Sequence, residues 1–252
     1  MRLYTSQNCV TELTIYAPTL VTLLSEILDR ENWIIHAQSG NMIIYENSQG
    51  RCIQLTDYDS GAILTGKRTI NDSIGFPSIA QSSYHGVMIK RTTITDWLIF
   101  ADDKSFYIIF NHVLYGFSYF DPLFRDSENY FVVGLPNTST NQDLLVSTSS
   151  SSTSIFLEGS GQGFSLSQIG GASLYNNIDA YVTNPLADGT TAIMLSPIAI
   201  HVGQTKQLRG FIHDLFAFGS TFVNPEQIYT QGGYSLYCVV LENRVFGVVL
   251  HD

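Results

Sequence analysis

Charged side chains are scarce in this sequence. Asp, Glu, Lys and Arg make up 13% of the 252 residues, against about a quarter in a typical domain. The 22 acidic residues outnumber the 12 basic ones, which gives a formal net charge of −10. Basic clusters such as Lys90-Arg91 are short, and nucleic-acid affinity needs clustered Lys and Arg. The composition therefore argues against a nucleic-acid partner, and its neutral polar surface suits packing between subunits.

Cysteine and long apolar runs are also rare. Cys9, Cys52 and Cys238 are odd in number, widely spaced and without a C-x-x-C pair, so neither a disulfide framework nor a zinc site is indicated. Free thiols in a protein made in a reducing cytosol are the expectation. No N-terminal signal pattern is present, and no apolar run approaches the roughly 18 residues that a bilayer span requires. We therefore expect neither a cleaved signal nor a membrane span.

The stretch from Thr95 to Leu135 predicts the centre of an antiparallel sheet. Its apolar runs Trp97–Ala101 and Phe106–Phe110 flank four turn-type residues, which is a hairpin signal. Further strands are expected at Tyr115–Phe120 and Tyr130–Val133. Because both faces of the first strand are apolar, both must be covered by other parts of the protein.

One helix is predicted before this sheet. Pro18 suits a helix start, and leucine and isoleucine recur at helical spacing from Leu20 to Leu28, with an end near Arg30. Glu26 and Arg30 are four residues apart and are expected to form an ion pair. A meander of strands then follows from Trp33, interrupted by a long surface loop at 69–83.

The second half of the chain divides by composition. Residues 137–188 are rich in Ser, Thr and Gly, which predicts a linker or an extended assembly arm. Residues 189–252 return to short strands and end in a hairpin.

We predict a mainly β fold, with residues 1–136 forming an antiparallel sheet or sandwich with one N-terminal helix. A small β-barrel or sandwich is expected at 189–252.

A search for catalytic groups finds no established pattern. The six histidines show no metal-binding spacing, and His213-Asp214 would point to opposite faces of a strand. Carboxylates at Asp121, Asp126 and Glu128 share one loop, and Asp102-Asp103 lie in another, so a cation such as calcium stays an open alternative. The sequence predicts no catalytic residue, no cofactor and no resident metal.

Aromatic residues suggest a second class of function. Most alternate within predicted strands, as core aromatics do. Tyr175 and Tyr181 instead lie near Asn176, Asn177 and Asp179, a combination able to stack on and hydrogen-bond a glycan. A receptor- or carbohydrate-binding module, of the adhesin kind, is therefore the alternative to a structural role.

Several segments together resemble a family of tailed-bacteriophage virion structural proteins. They are the N-terminal leucine-rich helix, Trp97-Leu-Ile-Phe-Ala-Asp102-Asp103-Lys-Ser-Phe106-Tyr107, Tyr115-Gly116-Phe117-Ser-Tyr-Phe120-Asp121, Asp126-Ser-Glu-Asn-Tyr130 and Leu208-Arg209-Gly210-Phe211-Ile212. The turn Asp103-Lys104 differs from the Gly-Arg that is typical of the family. The resemblance implies a non-enzymatic protein, made in the host cytoplasm and present in many copies in the tail, neck, collar or baseplate of the virion.

The partners implied by this resemblance are copies of the same chain, in a ring or other symmetric assembly, and other virion proteins. We predict the contacts in the two irregular segments 69–83 and 144–164. The candidate assembly residues are the apolar side chains of these segments, Ile74, Phe76, Ile155, Phe156, Leu157 and Phe164.

Overall fold

A computed structural model describes residues 1–59, 61–67, 87–90, 96–110, 113–122, 130–135, 156–157, 164–168, 183–185, 191–193, 196–202, 208–218, 226–231, 233–241 and 244–251. Within these ranges the chain is mainly β, as predicted, with a single helix, α1 (Thr19–Arg30). The strands are β1 (Arg2–Tyr4), β2 (Ile34–Ser39), β3 (Met42–Glu46), β4 (Cys52–Tyr58), β5 (Gly61–Lys67), β6 (Val87–Lys90), β7 (Trp97–Ala101), β8 (Phe106–Phe110), β9 (Val113–Pro122), β10 (Tyr130–Leu135), β11 (Phe156–Leu157), β12 (Phe164–Gln168), β13 (Thr183–Pro185), β14 (Thr191–Ile193), β15 (Ser196–Val202), β16 (Leu208–Phe218), β17 (Ile228–Gln231), β18 (Tyr234–Leu241) and β19 (Arg244–Leu250).

Helix α1 confirms the predicted leucine stripe. Its buried face consists of Leu20, Val21, Leu23, Leu24, Ile27 and Leu28, and the Glu26–Arg30 ion pair is present. Pro18 at the N-cap position supplies no side-chain cap. The carboxylate of Asp57, on β4, takes that role: its Oδ2 accepts the backbone N–H groups of Leu20 at 2.9 Å and Val21 at 3.4 Å. A buried negative charge at this end also complements the helix dipole.

Strands β2, β3 and β4 form the predicted meander, and β5 and β6 extend it to a five-stranded sheet. They pair in chain order, β2-β3-β4-β5-β6, and each pair is antiparallel. Their buried residues, among them Ile43, Tyr45 and Leu55, belong to one hydrophobic core together with the buried face of α1. This five-stranded sheet and α1 therefore cover each other's apolar faces.

A second, twelve-stranded sheet contains the predicted central hairpin. Its main order is β1-β7-β8-β9-β16-β19-β18-β17, while β10 joins β9 and carries β11, and β15 joins β16 and carries β12. The β7–β8 pair runs from Trp97↔Phe110 to Ala101↔Phe106, so the hairpin prediction is confirmed. A third sheet contains only β13 and β14.

Both faces of β7 are covered, as expected from its pattern. Trp97, Ile99 and Ala101 belong to the core that includes α1. Phe100 points the other way, is fully buried, and contacts the ring of Tyr237 on β18 with centroids 5.4 Å apart. The central hairpin therefore separates two apolar layers.

The large sheet curves back on itself. The Met1 amino group donates to the carbonyl oxygen of Val249 at 3.1 Å, and the backbone N–H of His251 donates to the Met1 carbonyl at 3.0 Å. These bonds join the start of β1 to the end of β19, although β7, β8, β9 and β16 lie between the two strands in the sheet order. Such a contact requires the sheet to curve strongly between these two strands. The twist of neighbouring strands, which accumulates across a sheet, favours this curvature.

Hydrogen bonds also connect the two predicted β domains. β16 pairs with β9 through Gly210↔Pro122, Phe211↔Asp121 and Ile212↔Phe120. Strands β15 to β19 thus continue the sheet that begins with the central hairpin. The domain boundaries at 136 and 189 stay a prediction.

Candidate functional site

Exposed apolar side chains mark the ends of the two larger sheets. In the described part of the chain, the large hydrophobic residues with substantial exposure are Val10, Ile15, Tyr16, Ile34, Ile35, Tyr58, Ile228 and Tyr234. Ile34 and Ile35 lie on β2, the first strand of the five-stranded sheet, and Ile228 lies on β17, the last strand of the large sheet. Tyr234 faces the end of β17 across the turn, paired with Gln231. Exposed apolar groups at sheet ends are typical of strand-to-strand contacts between chains.

The β2 edge carries features that limit such pairing. The register with β3 shifts between Ile35 and Ala37, which places a bulge at His36, and the imidazole of His36 contacts the carboxylate of Glu46. Bulges and charged groups on an edge strand disfavour the addition of another strand. The β2 edge is thus guarded despite its two exposed isoleucines.

The β17 edge has neither feature between Ile228 and Gln231. Just before the strand, Glu226 has a φ of +60°, and Glu226 and Gln227 both bond to Cys238, so a bulge with a charged residue lies at its start. The strand sequence Ile-Tyr-Thr-Gln contains no charged residue, and its register with β18 is continuous from Ile228↔Tyr237 to Gln231↔Tyr234. Ile228 is 56% exposed and Tyr234 is 61% exposed. The sequence patterns did not predict this hairpin, although a Gly-Gly pair between two short β-type runs, as at Gly232-Gly233, is typical of one.

Three of the predicted assembly residues lie in described strands. Phe156 and Leu157 form β11 and pair with Val132 and Phe131 of β10. Phe164 begins β12 and pairs with Val202 of β15. β11 and β12 therefore lie beside different strands of the large sheet, β10 and β15, and do not pair with each other. Ile74, Phe76 and Ile155 lie outside the described residues, as do Tyr175, Tyr181, Asp126 and Glu128 of the alternative hypotheses.

A polar junction lies where the chain ends meet β16. Asp214 has a φ of +56°, unusual for a residue other than glycine, at the point where β16 changes partner from β9 to β19. Its Oδ2 is 3.1 Å from Nε2 of His251 and 3.8 Å from the Met1 amino nitrogen. Burial lowers the pKa of that amino group, and the Asp214 carboxylate opposes the shift.

A cavity of about 390 Å³ adjoins this junction. Its lining consists of Met1, Arg2, Glu31, Ala101, Asp102, Asp103, Lys104, Asp214 and His251. Glu31, at the end of α1, accepts hydrogen bonds from Arg2 at 3.2 Å and from the Tyr4 hydroxyl. Burial, followed by this bond to Glu31, raises the pKa of Tyr4 to about 12. The Arg2–Glu31 pair thus ties β1 to the helix, and the contacts of Asp214 with Met1 and His251 tie both ends of the chain to β16.

Asp102, one of the candidate cation ligands, is engaged in the β7–β8 turn. Its Oδ1 accepts the backbone N–H groups of Lys104 at 2.8 Å and Ser105 at 2.7 Å. Its carbonyl accepts the indole N–H of Trp33 at 2.6 Å. In the part of the chain described here, His, Cys, Asp and Glu side chains form no group of three or more able to hold a metal ion. The turn carboxylate therefore acts in the local fold.

Comparison with known proteins adds no relative. No protein-family model matches the chain, and no curated protein matches its sequence. Among the described residues, α1 is too short and too polar to cross a membrane, and no other helix is present. Geometry and the sequence resemblance are therefore the basis for a functional assignment.

Proposed function

We propose that the protein is a non-enzymatic structural subunit that assembles in multiple copies through the edges of its sheets. The observation that carries this proposal is the placement of exposed apolar side chains at one end of the large sheet, Ile228 on β17 and Tyr234 across the β17–β18 hairpin. Backbone pairing at such edges gives affinity, and the side chains beside it give specificity.

The interior supports a rigid building block. Residues of α1, β3, β4, β7, β8 and β9 form one continuous core in which most side chains are fully buried. A chain with this core folds without needing the edge strands to be covered. Exposed Ile228 is therefore available for contacts between folded subunits.

The resemblance of short segments spread over most of the chain to tailed-bacteriophage virion proteins supports a virion as the setting of this assembly. A low content of charged residues agrees with a surface that packs against neighbouring subunits. On this proposal the partners are further copies of the chain and other virion proteins of the tail, neck or baseplate.

The test is the mass of the purified protein in solution, measured by light scattering over a concentration series. We expect an oligomer that is weakened by Ile228→Lys, because burial of an isoleucine contributes about 1.5–3 kcal/mol, equivalent to roughly ten- to a hundredfold in affinity. Val10→Lys is the matched control, since Val10 is 91% exposed and lies outside the sheets.

A monomer at every concentration, for the unaltered protein as well as the variants, would contradict self-assembly. It would favour the alternative of a receptor- or carbohydrate-binding module. Binding of the isolated protein to an array of glycans would then be the measurement to make.

A further inference from the structure

Two strands end the same run of antiparallel pairs. Within the large sheet the order β12-β15-β16-β19-β18-β17 is continuous, and each of its neighbouring pairs is antiparallel. Because the run contains an odd number of antiparallel steps, β12 and β17 point in opposite directions. A second copy placed head to tail beside the first thus presents β12 antiparallel to β17, the pairing used throughout this sheet.

Among the described residues, both end strands of this run lack charged side chains and internal register shifts. β12 reads Phe-Ser-Leu-Ser-Gln and β17 reads Ile-Tyr-Thr-Gln, both without a charged residue, and both keep a continuous register with their inner neighbours. Among the other end strands described, β1 carries Arg2 and bonds to β19 through Met1, β6 carries Lys90, and β2 has the bulge at His36. β11, β13 and β14 carry no charged residue but are only two or three residues long. Charges and bulges are how proteins protect edges from pairing.

The backbone of β17 has polar groups on its outer side. Its register with β18 ends at Gln231↔Tyr234, and the Cys238 N–H donates to the Gln227 carbonyl at 3.0 Å. In an antiparallel pair alternate residues bond inward, so Ile228 and Thr230 direct their N–H and C=O groups away from β18. Both residues have exposed side chains.

We propose that β17 of one copy pairs antiparallel with β12 of a second copy, so that the large sheet continues from subunit to subunit. This inference rests on the proposed function and names its contact. The contact is heterologous, because two different edges meet, and each added copy leaves a β12 edge and a β17 edge available. Repetition closes a ring if the rotation between copies permits, and otherwise extends a filament.

Disulfide trapping tests the pairing on the full chain. In a Cys9→Ser background, Ile228→Cys is mixed with Ser165→Cys or Ser167→Cys, and disulfides form under mild oxidation. We expect a cross-linked dimer that contains one copy of each variant, formed roughly a hundredfold faster than with Val10→Cys in place of Ile228→Cys. A chain with both substitutions of one pair is expected to give a ladder of cross-linked multimers.

The outcomes separate this contact from the general proposal. If the unaltered protein assembles but the mixture cross-links no faster than the Val10→Cys control, the β17–β12 contact is wrong and self-assembly stands. If Ile228→Cys alone cross-links as fast as the mixture, β17 pairs with its own copy, which also overturns the inference. If the unaltered protein is monomeric throughout, both proposals fail.

A second variant tests the contact without cysteine. Thr230→Pro removes an outward N–H, and proline is tolerated where an edge N–H faces away from the sheet. We expect loss of the oligomer with an unchanged circular dichroism spectrum, while Thr230→Val retains the oligomer. An oligomer that survives Thr230→Pro would contradict the pairing.

Discussion

Replacing Gly116 by alanine should destabilise the central sheet strongly. Gly116 lies on β9 opposite Tyr107 of β8. A Cβ atom added at this position would lie 2.3 Å from the carbonyl oxygen of Phe106 and 2.9 Å from Cδ1 of Tyr107. Both neighbours are fully buried, and the closer atom is backbone. Relief of the clash therefore requires β8 and β9 to move apart by about 1 Å.

The cost follows from three contributions. Overpacking of a tight core costs about 3 kcal/mol at the upper end of its usual range. Displacement of Tyr107 weakens its 2.6 Å hydrogen bond to Ser118, which contributes about 1 kcal/mol. Alanine has less conformational freedom than glycine in the unfolded chain, which raises the free energy of unfolding by about 0.7 kcal/mol. The expected net loss is about 3 kcal/mol in the free energy of unfolding.

Urea unfolding followed by tryptophan fluorescence measures this effect. Trp33 packs edge-on against Phe106 and Phe117, with centroids 5.7 and 6.0 Å away, and so reports on this region. With a slope of about 3 kcal/mol/M, the midpoint should fall by about 1 M. Gly40→Ala is the control, because its φ is +57° and its Cβ would meet no atom, so only backbone strain of about 1 kcal/mol is expected. Equal losses for the two variants would refute the clash.

Three further predictions concern the helix, acid stability and the thiols. Asp57→Ala should cost about 1–2 kcal/mol of stability in urea unfolding, because α1 loses its N-terminal acceptor, and Asp57→Asn should cost less. Burial pushes the pKa of Glu26 upward, but two backbone N–H bonds and an arginine outweigh it, and the pKa lies below its ordinary 4.5. Ionised Glu26 therefore stabilises the folded protein above pH 4.5, and this stabilisation is lost as the pH falls through the folded-state pKa. The melting temperature should fall less steeply with decreasing pH in Glu26→Gln than in the unaltered protein. Burial raises the pKa of the Cys238 thiol to about 12; mass spectrometry after alkylation at pH 8 should find Cys9 modified first, with Cys52 and Cys238 reacting only on unfolding.

Much of the fold was predictable from local patterns. The apolar runs on either side of Asp102–Ser105 predicted β7 and β8, and the leucine spacing from Leu20 to Leu28 predicted α1. These predictions succeeded because burial of one face or both imposes a periodicity on the chain itself. The β2–β4 meander was predictable for the same reason, since its turns are short and local.

The β17 hairpin and the polar junction were not predicted. β17 is four residues long, too short for its pattern to stand out from a loop. Asp214 and His251 are 37 residues apart, and nothing in either local sequence indicates the other. Contacts of this kind depend on how distant strands pair, which local preferences do not specify.

For the candidate assembly site, too, the sequence determined the local composition and the tertiary structure determined the placement. The segments Phe164–Gln168 and Ile228–Gln231 contain no charged residue, which the sequence shows directly, but neither was predicted as a strand. Which strands become sheet ends, and that these two end one antiparallel run, was decided by the tertiary structure. The physical reason is that strand hydrogen bonds join backbone groups of every residue type alike, so the order of strands is set by packing of the whole chain and not by any one segment.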